Sequence, residues 1–156
     1  MMSNPLKRHK ALHSLSHDHH HGLILAQLIK KRSPLYKNLP STTEGKKNYA
    51  VQFYNTELIR HFEDEEKVLY PLVKNRDKKI DSLFEEIIAE HQQIKKLITK
   101  LESNDDVEDT MDEIGYLLES HIRKEERKLF PLIQNLLSDE ELIHLENKLQ
   151  NSESKK

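Results

Sequence analysis

The chain contains no cysteine. Disulfides, iron–sulfur clusters, thiolate zinc sites and cysteine nucleophiles are therefore excluded. Glycine occurs only at Gly22, Gly45 and Gly115, too scattered for a Walker loop or a dinucleotide fingerprint. No apolar run approaches the ~20 residues that span a bilayer. The amino terminus carries no signal-peptide pattern, so a cytoplasmic location is the expectation. Excess charge is missing too: 25 Lys and Arg against 27 Asp and Glu leave a net charge of −2. Nothing in that balance draws the chain toward nucleic acid or a membrane, and neither is expected as a partner.

The 156 residues, 35% hydrophobic and 33% charged, suit one domain of amphipathic helices, each burying a single stripe. Residues 1–10 are basic and read as a flexible arm. Apolar residues recur at helical spacing from Ala11 to Arg32, and Ser33-Pro34 stops that helix. Pro34 to Gly45 reads as a loop, with Ser41-Thr42-Thr43-Glu44 as a capping box. Three further long helices are predicted, over about Lys46–Lys74, Asp77–Leu101 and Val107–Asn135. Pro71 marks a kink or stop, and Ser103-Asn104-Asp105-Asp106 a turn with good capping residues. A second box, Ser138-Asp139-Glu140-Glu141, opens a short helix over Asp139–Leu149. The expected division is an arm over 1–10, an all-α antiparallel up-down-up-down four-helix bundle with a short C-terminal helix over 11–150, and a disordered polar tail over 151–156.

Ten histidines stand out. The segment His61-Phe-Glu-Asp-Glu65-Glu66-Lys-Val-Leu69-Tyr70-Pro71-Leu72 is repeated sixty residues later as His121-Ile-Arg-Lys-Glu125-Glu126-Arg-Lys-Leu129-Phe130-Pro131-Leu132. A weaker echo joins Asp18-His19 to Glu90-His91. The unit is a helical hairpin used twice. A His and a Glu four residues on share one helix face, so His61/Glu65 and His121/Glu125 can converge on one site. His91 and a histidine of the first helix add an imidazole each. Imidazole and carboxylate with vacant positions suit non-haem iron.

Ser16-His17-Asp18-His19, His61-Phe-Glu-Asp-Glu65-Glu66-Lys, Glu90-His91 and His121-Ile-Arg-Lys-Glu125-Glu126, with the Leu-Tyr/Phe-Pro-Leu that follows each Glu-Glu pair, resemble the hemerythrin-like (HHE cation-binding) family. The resemblance covers about residues 11–137. It implies an oxo- or hydroxo-bridged di-iron centre, two iron ions in all. Its terminal ligands would be His19, His61, His91 and His121, and its bridges Glu65 and Glu125. Oxygen-carrying members have a further histidine where this chain has Lys95. That departure moves the expectation from oxygen carriage toward sensing or handling oxygen, peroxide and other reactive oxygen species, nitric oxide or iron. A di-iron peroxidase or oxidase is the alternative; a metal- and gas-binding protein is favoured over an enzyme. Lys95 is expected on the side of the site where the extra imidazole would bind.

His9, His13 and His144 read as surface residues. In His17-Asp18-His19-His20-His21 the apolar stripe through Ile24, Leu25 and Leu28 points best at His21 and His17. The match to Glu90-His91 and the family resemblance favour His19, which is the choice made, with His20 and His21 as alternates. Glu66 and Glu126 lie about 100° further round and read as supporting or solvated. Tyr54 is assigned to the core and Gly115 to close helix packing. A histidine phosphotransfer bundle would need one exposed histidine without a paired glutamate, and the repeats disfavour it.

Overall fold

The computed structural model describes residues 7–154. Its regular elements are all helical: α1 (His13–Leu28), α2 (43–73), α3 (Lys78–Glu102), α4 (107–136) and α5 (Asp139–Ser154), with a 3-10 turn, Lys10–Leu12, ahead of α1. Of the arm expected over 1–10, residues 1–6 lie outside the described residues. Beyond them, Arg8 donates to the Glu126 carbonyl at 2.7 Å and to Gln134 at 3.0 Å, and the His9 backbone N–H also reaches Gln134.

Each start has a local cause. His9 Nδ1 accepts from the Ala11 N–H and opens the 3-10 turn. Thr42, not Ser41, caps α2 by accepting from the Gly45 N–H at 3.0 Å, so the helix begins before Lys46. Asp77 caps α3 through the Ile80 N–H. At α5 the box is reciprocal: Ser138 Oγ accepts from the Glu141 N–H, and Glu141 Oε1 from the Ser138 N–H. The turn before α4 departs from expectation. Asp106 there is left-handed (φ 45°), and its side chain caps nothing.

Helix α1 ends at Leu28 and not at Arg32. Beyond Ile29 the Lys31 N–H is taken by Asp112 Oδ1 of α4 at 2.8 Å, which removes a donor the helix needs to continue. Conversely, α2 runs through Pro71. A wide i→i+5 turn over Glu65–Leu69 precedes that proline, and the same turn over Glu125–Leu129 precedes Pro131. Proline lacks an N–H and its ring collides with the carbonyl four residues back. One extra residue in the turn moves that carbonyl aside, and the helix survives.

The core is in two parts. One gathers Leu25, Leu28, Tyr54, Leu58, Phe62, Ile94, Ile98, Ile114, Leu118 and Ile122. The other gathers Leu12, Leu15, Leu69, Val73, Phe84, Ile87, Leu129, Phe130 and Ile133, closed by Leu142, Leu145 and Leu149 of α5. Between Leu15 and Leu25 on α1, Phe62 and Leu69 on α2, Ile87 and Ile94 on α3, and Ile122 and Leu129 on α4 lies a buried polar layer. Helices α1 and α4 touch closely at glycine. A Cβ on Gly115 would stand 2.7 Å from the Ala26 carbonyl oxygen, and one on Gly22 would stand 2.8 Å from Ile122 Cδ1. Gly115 thus has the packing role the sequence assigned to it.

Candidate metal centre

The polar layer holds His19, His61, Glu65, His91, His121 and Glu125, all buried. They come from the four long helices, the odd ones giving one imidazole and the even ones an imidazole and a carboxylate. Their ligand-type atoms fall into two groups, His19/His61/Glu65/Glu125 and Glu65/His91/His121/Glu125, each within 4.8 Å throughout. Both glutamates belong to both groups.

Within the first group His19 Nε2 lies 3.1 Å from His61 Nε2 and 2.6 Å from Glu125 Oε1, and His61 Nε2 lies 3.3 Å from Glu65 Oε2. Within the second, His91 Nε2 is 3.1 Å from Glu65 Oε1 and His121 Nε2 is 3.7 Å from Glu125 Oε2. Glu65 Oε2, both Glu125 oxygens and His121 Nε2 are buried without a hydrogen-bond partner. A buried polar atom left so costs roughly 1–3 kcal/mol, more for a charged group. Four of them in one buried layer, among ligand-type atoms that all lie within 4.8 Å of one another in each group, match a donor set built around cations. The imidazole and carboxylate chemistry fits iron, and the shared glutamates fit a pair of ions.

The outer ring nitrogens are all engaged. His61 Nδ1–H donates to Asp18 at 3.0 Å, His121 Nδ1–H to Glu90 at 2.7 Å, His19 Nδ1–H to Glu126 at 2.6 Å and His91 Nδ1–H to Glu66 at 2.7 Å. A carboxylate can only accept, so each ring carries its proton outside and turns Nε2 inward, as metal-binding histidines do. The acids are themselves held: Asp18 by Arg60, Glu90 by Lys124, and Glu126 by Arg8 and Ser16.

Charge follows from this geometry. Burial opposes ionisation of His19, but the close Glu125 carboxylate and the bond that Nδ1–H donates to Glu126 outweigh it and raise the imidazole to about 9. Burial likewise opposes the charge on His61 and His91, and Glu65 overcomes it, raising both. Glu65 is pulled well below the usual carboxylate range, the His61 charge prevailing over burial. His19, His61 and His91 are thus held toward their charged forms by the carboxylates beside them, and a cation bound there would displace their inner protons.

Placement of the predicted residues is plain. His19 is buried, while His17, His20 and His21 are exposed. The stripe through Ile24 misled: Ile24 is 37% exposed, and the inward face runs Leu15, His19, Gly22, Leu25/Ala26 and Ile29. Lys95 is exposed, and the buried residue following His91 is Ile94. Lys95 therefore does not lie beside the site. The α3 stripe steps by four to His91 and then by three to Ile94, leaving the i+4 position on the flank. Tyr54 joins the core. The sequence reading missed Asp18 and Glu90 as partners of His61 and His121. The repeated acid–histidine dipeptide was their signal.

A helical domain with four imidazoles and two shared carboxylates sealed in one core layer is a cation-binding domain. Comparison with known sequences makes the assignment particular: residues 13–133 match the hemerythrin HHE cation-binding domain, and the chain belongs to that family. It is 30% identical over 113 residues to a DNA nickase of Nostoc sp., covering 69% of this chain and 31% of that protein. It is also 30% identical over 118 residues to an uncharacterized hemerythrin-like protein of Schizosaccharomyces pombe, covering 70% of this chain and 57% of the relative. The chain therefore spans under two thirds of either curated relative. No solved structure matches significantly. No described helix is long and apolar enough to cross a membrane.

Proposed function

We propose that this is a non-haem di-iron protein that senses or handles oxygen, reactive oxygen species, nitric oxide or iron. His19 and His61 would hold one iron, His91 and His121 the other, with Glu65 and Glu125 bridging. The observation that carries the reading is the sharing of both glutamates by two four-residue donor groups, with unpartnered oxygens on each. An up-down-up-down course of the four long helices goes with it. The order in which the helices meet the two apolar clusters supports that course, for it alternates from α1 to α4.

Iron would supply reversible redox change and binding of small ligands. The chain's part is to fix the donors. The four Nδ1–H bonds to carboxylates set each imidazole's tautomer and angle. Phe62 stacks on His91 at 3.9 Å and Phe130 on His19 at 5.4 Å, which limits water and ring motion. Two imidazoles on each half leave positions free for a ligand. The position where oxygen-carrying members have a further histidine is Lys95, which is exposed, and the buried residue after His91 is the apolar Ile94, so α3 offers the site one imidazole. This supports an open centre over a stable oxygen carrier. The nicking activity in one relative's name draws no support from a net charge of −2.

Loading stripped protein anaerobically with ferrous iron tests the reading. Two irons per chain are expected, with near-ultraviolet charge-transfer absorption after oxidation and a melting midpoint that a strong chelator lowers. One iron or none, and a midpoint indifferent to chelator, would refute it.

A further inference from the structure

Two histidines of the α1 cluster stand outside the core layer yet face each other. His17 and His21 lie four residues apart, on one helix face. Their Nε2 atoms are 3.3 Å apart, with ring centroids at 4.8 Å and planes crossing at 79°. With one ring protonated at Nε2 the contact is a hydrogen bond; with both nitrogens bare it is a pair of lone pairs facing one point. Two imidazole nitrogens bound to one tetrahedral cation at ~2.0–2.1 Å stand about 3.3–3.4 Å apart. The same approach recurs inside the core, where His19 and His61 bring Nε2 atoms to 3.1 Å.

The pair also has a position. It lines a cavity of about 460 Å³ whose wall includes Asp18, Glu57 and His61. The same cavity is thus lined both by two exposed imidazoles and by a histidine of the buried layer. His20, between them in sequence, lines a different and mainly apolar pocket with Leu23, Ile24 and Tyr36.

We propose that His17 and His21 form a separate cation site, and that it is the entry station for metal bound for the His19/His61 half of the core. One divalent transition-metal ion would be held by both Nε2 atoms. Water fills its other positions, and Glu57 supplies a carboxylate in the same cavity. Imidazole suits ferrous iron, zinc, copper and nickel alike, so the site captures by ligand type rather than by metal identity. An exposed two-histidine site holds its ion loosely, as a transfer point must. The entry role rests on the core being the iron centre; the cation site does not.

Metal-stripped full-length protein decides both parts. Wild type, the double variant His17→Gln/His21→Gln and the control His20→Gln are titrated with zinc against a competing indicator. Each is then mixed anaerobically with ferrous iron while core loading is followed. Wild type and control are expected to bind one zinc more than the double variant. The double variant should load its core several-fold more slowly but reach the same final iron content. Equal zinc equivalents in all three would overturn the site, and equal loading rates would overturn the entry role. Should no variant retain core iron, the core reading and the entry role fall together, and the zinc difference still decides the site.

Discussion

Replacing Gly115 with alanine sets two effects of known size against each other. Alanine in a helix interior is worth about 1 kcal/mol over glycine, so propensity alone predicts a more stable protein. The new Cβ, however, would meet the Ala26 carbonyl oxygen at 2.7 Å and Lys30 Cγ at 3.0 Å. Ordinary contact begins at 3.4 Å, so α1 and α4 must separate by about 0.7 Å at that point. The obstructing oxygen is backbone and cannot rotate away. Overpacking of this kind costs roughly 1–3 kcal/mol, and a rigid obstacle puts it in the upper part of that range. The net expectation is a loss of about 1–2 kcal/mol, or roughly 2–8 °C in melting temperature at this chain length. His19 reaches the core layer from α1, and Glu125, 2.6 Å away, from α4. A shift above the ~0.5 Å tolerance of a ligand set should therefore weaken iron binding as well. Gly22→Ala is the control: its Cβ would meet the Ile122 Cδ1 methyl at 2.8 Å, which a side-chain adjustment of about 0.5–1.5 kcal/mol can relieve, and the ~1 kcal/mol propensity gain offsets it, so the net change should stay within about 0.5 kcal/mol. Calorimetry and iron titration of the two variants are the assay. A higher melting temperature for Gly115→Ala, or equal effects of the two, would refute the argument.

Two other outcomes are expected. Glu125→Ala, which removes a donor from both groups, should leave fewer than two irons per chain, whereas Glu126→Gln, which only loosens the grip on His19 Nδ1–H, should keep both with ~10–100-fold weaker affinity; metal analysis and competition titration tell these apart. In stripped protein His19 is raised from 6.5 to about 9, so its contribution to stability is complete below pH 6.5 and is lost as the pH rises through 9; chelator-treated protein should melt at steadily lower temperature across that window, and a flat profile would show that His19 is not held as a charged imidazole.

Residues four apart on one helix needed nothing beyond the sequence to be placed together, which is why His61/Glu65 and His121/Glu125 were legible. So were the boundaries of α3, because its stripe from Ile80 to Leu101 is regular and Asp77 is a good cap. Helix α1 was harder. Its inward face includes Gly22, which has no side chain to mark it, while Ile24 is apolar but exposed; the stripe therefore drifted toward His17 and His21. Its end was invisible for a different reason, since Asp112, which takes the Lys31 N–H, is 81 residues away. The outer carboxylates show the same limit. Asp18 and Glu90 are adjacent to His19 and His91, but they serve His61 and His121 on the neighbouring helices. Lys95 was misplaced because the fourth residue along a helix drifts past the contact line when the neighbouring step is three.

The polar layer does more than hold donors. It cuts the apolar interior into two pieces, one around Ile94 and Leu118, the other around Phe84 and Phe130. Continuous apolar packing is what makes a small domain melt in a single step. Here the two pieces communicate through six charged or ionisable side chains. Stripped of cations, the end closed by α5 can exchange its amide hydrogens independently of the end around Tyr54. Ions bound as proposed would tie four helices at one level, and opening either end would then disturb the same centre. If the layer holds the proposed ions, metal occupancy would set how many cooperative units the chain contains.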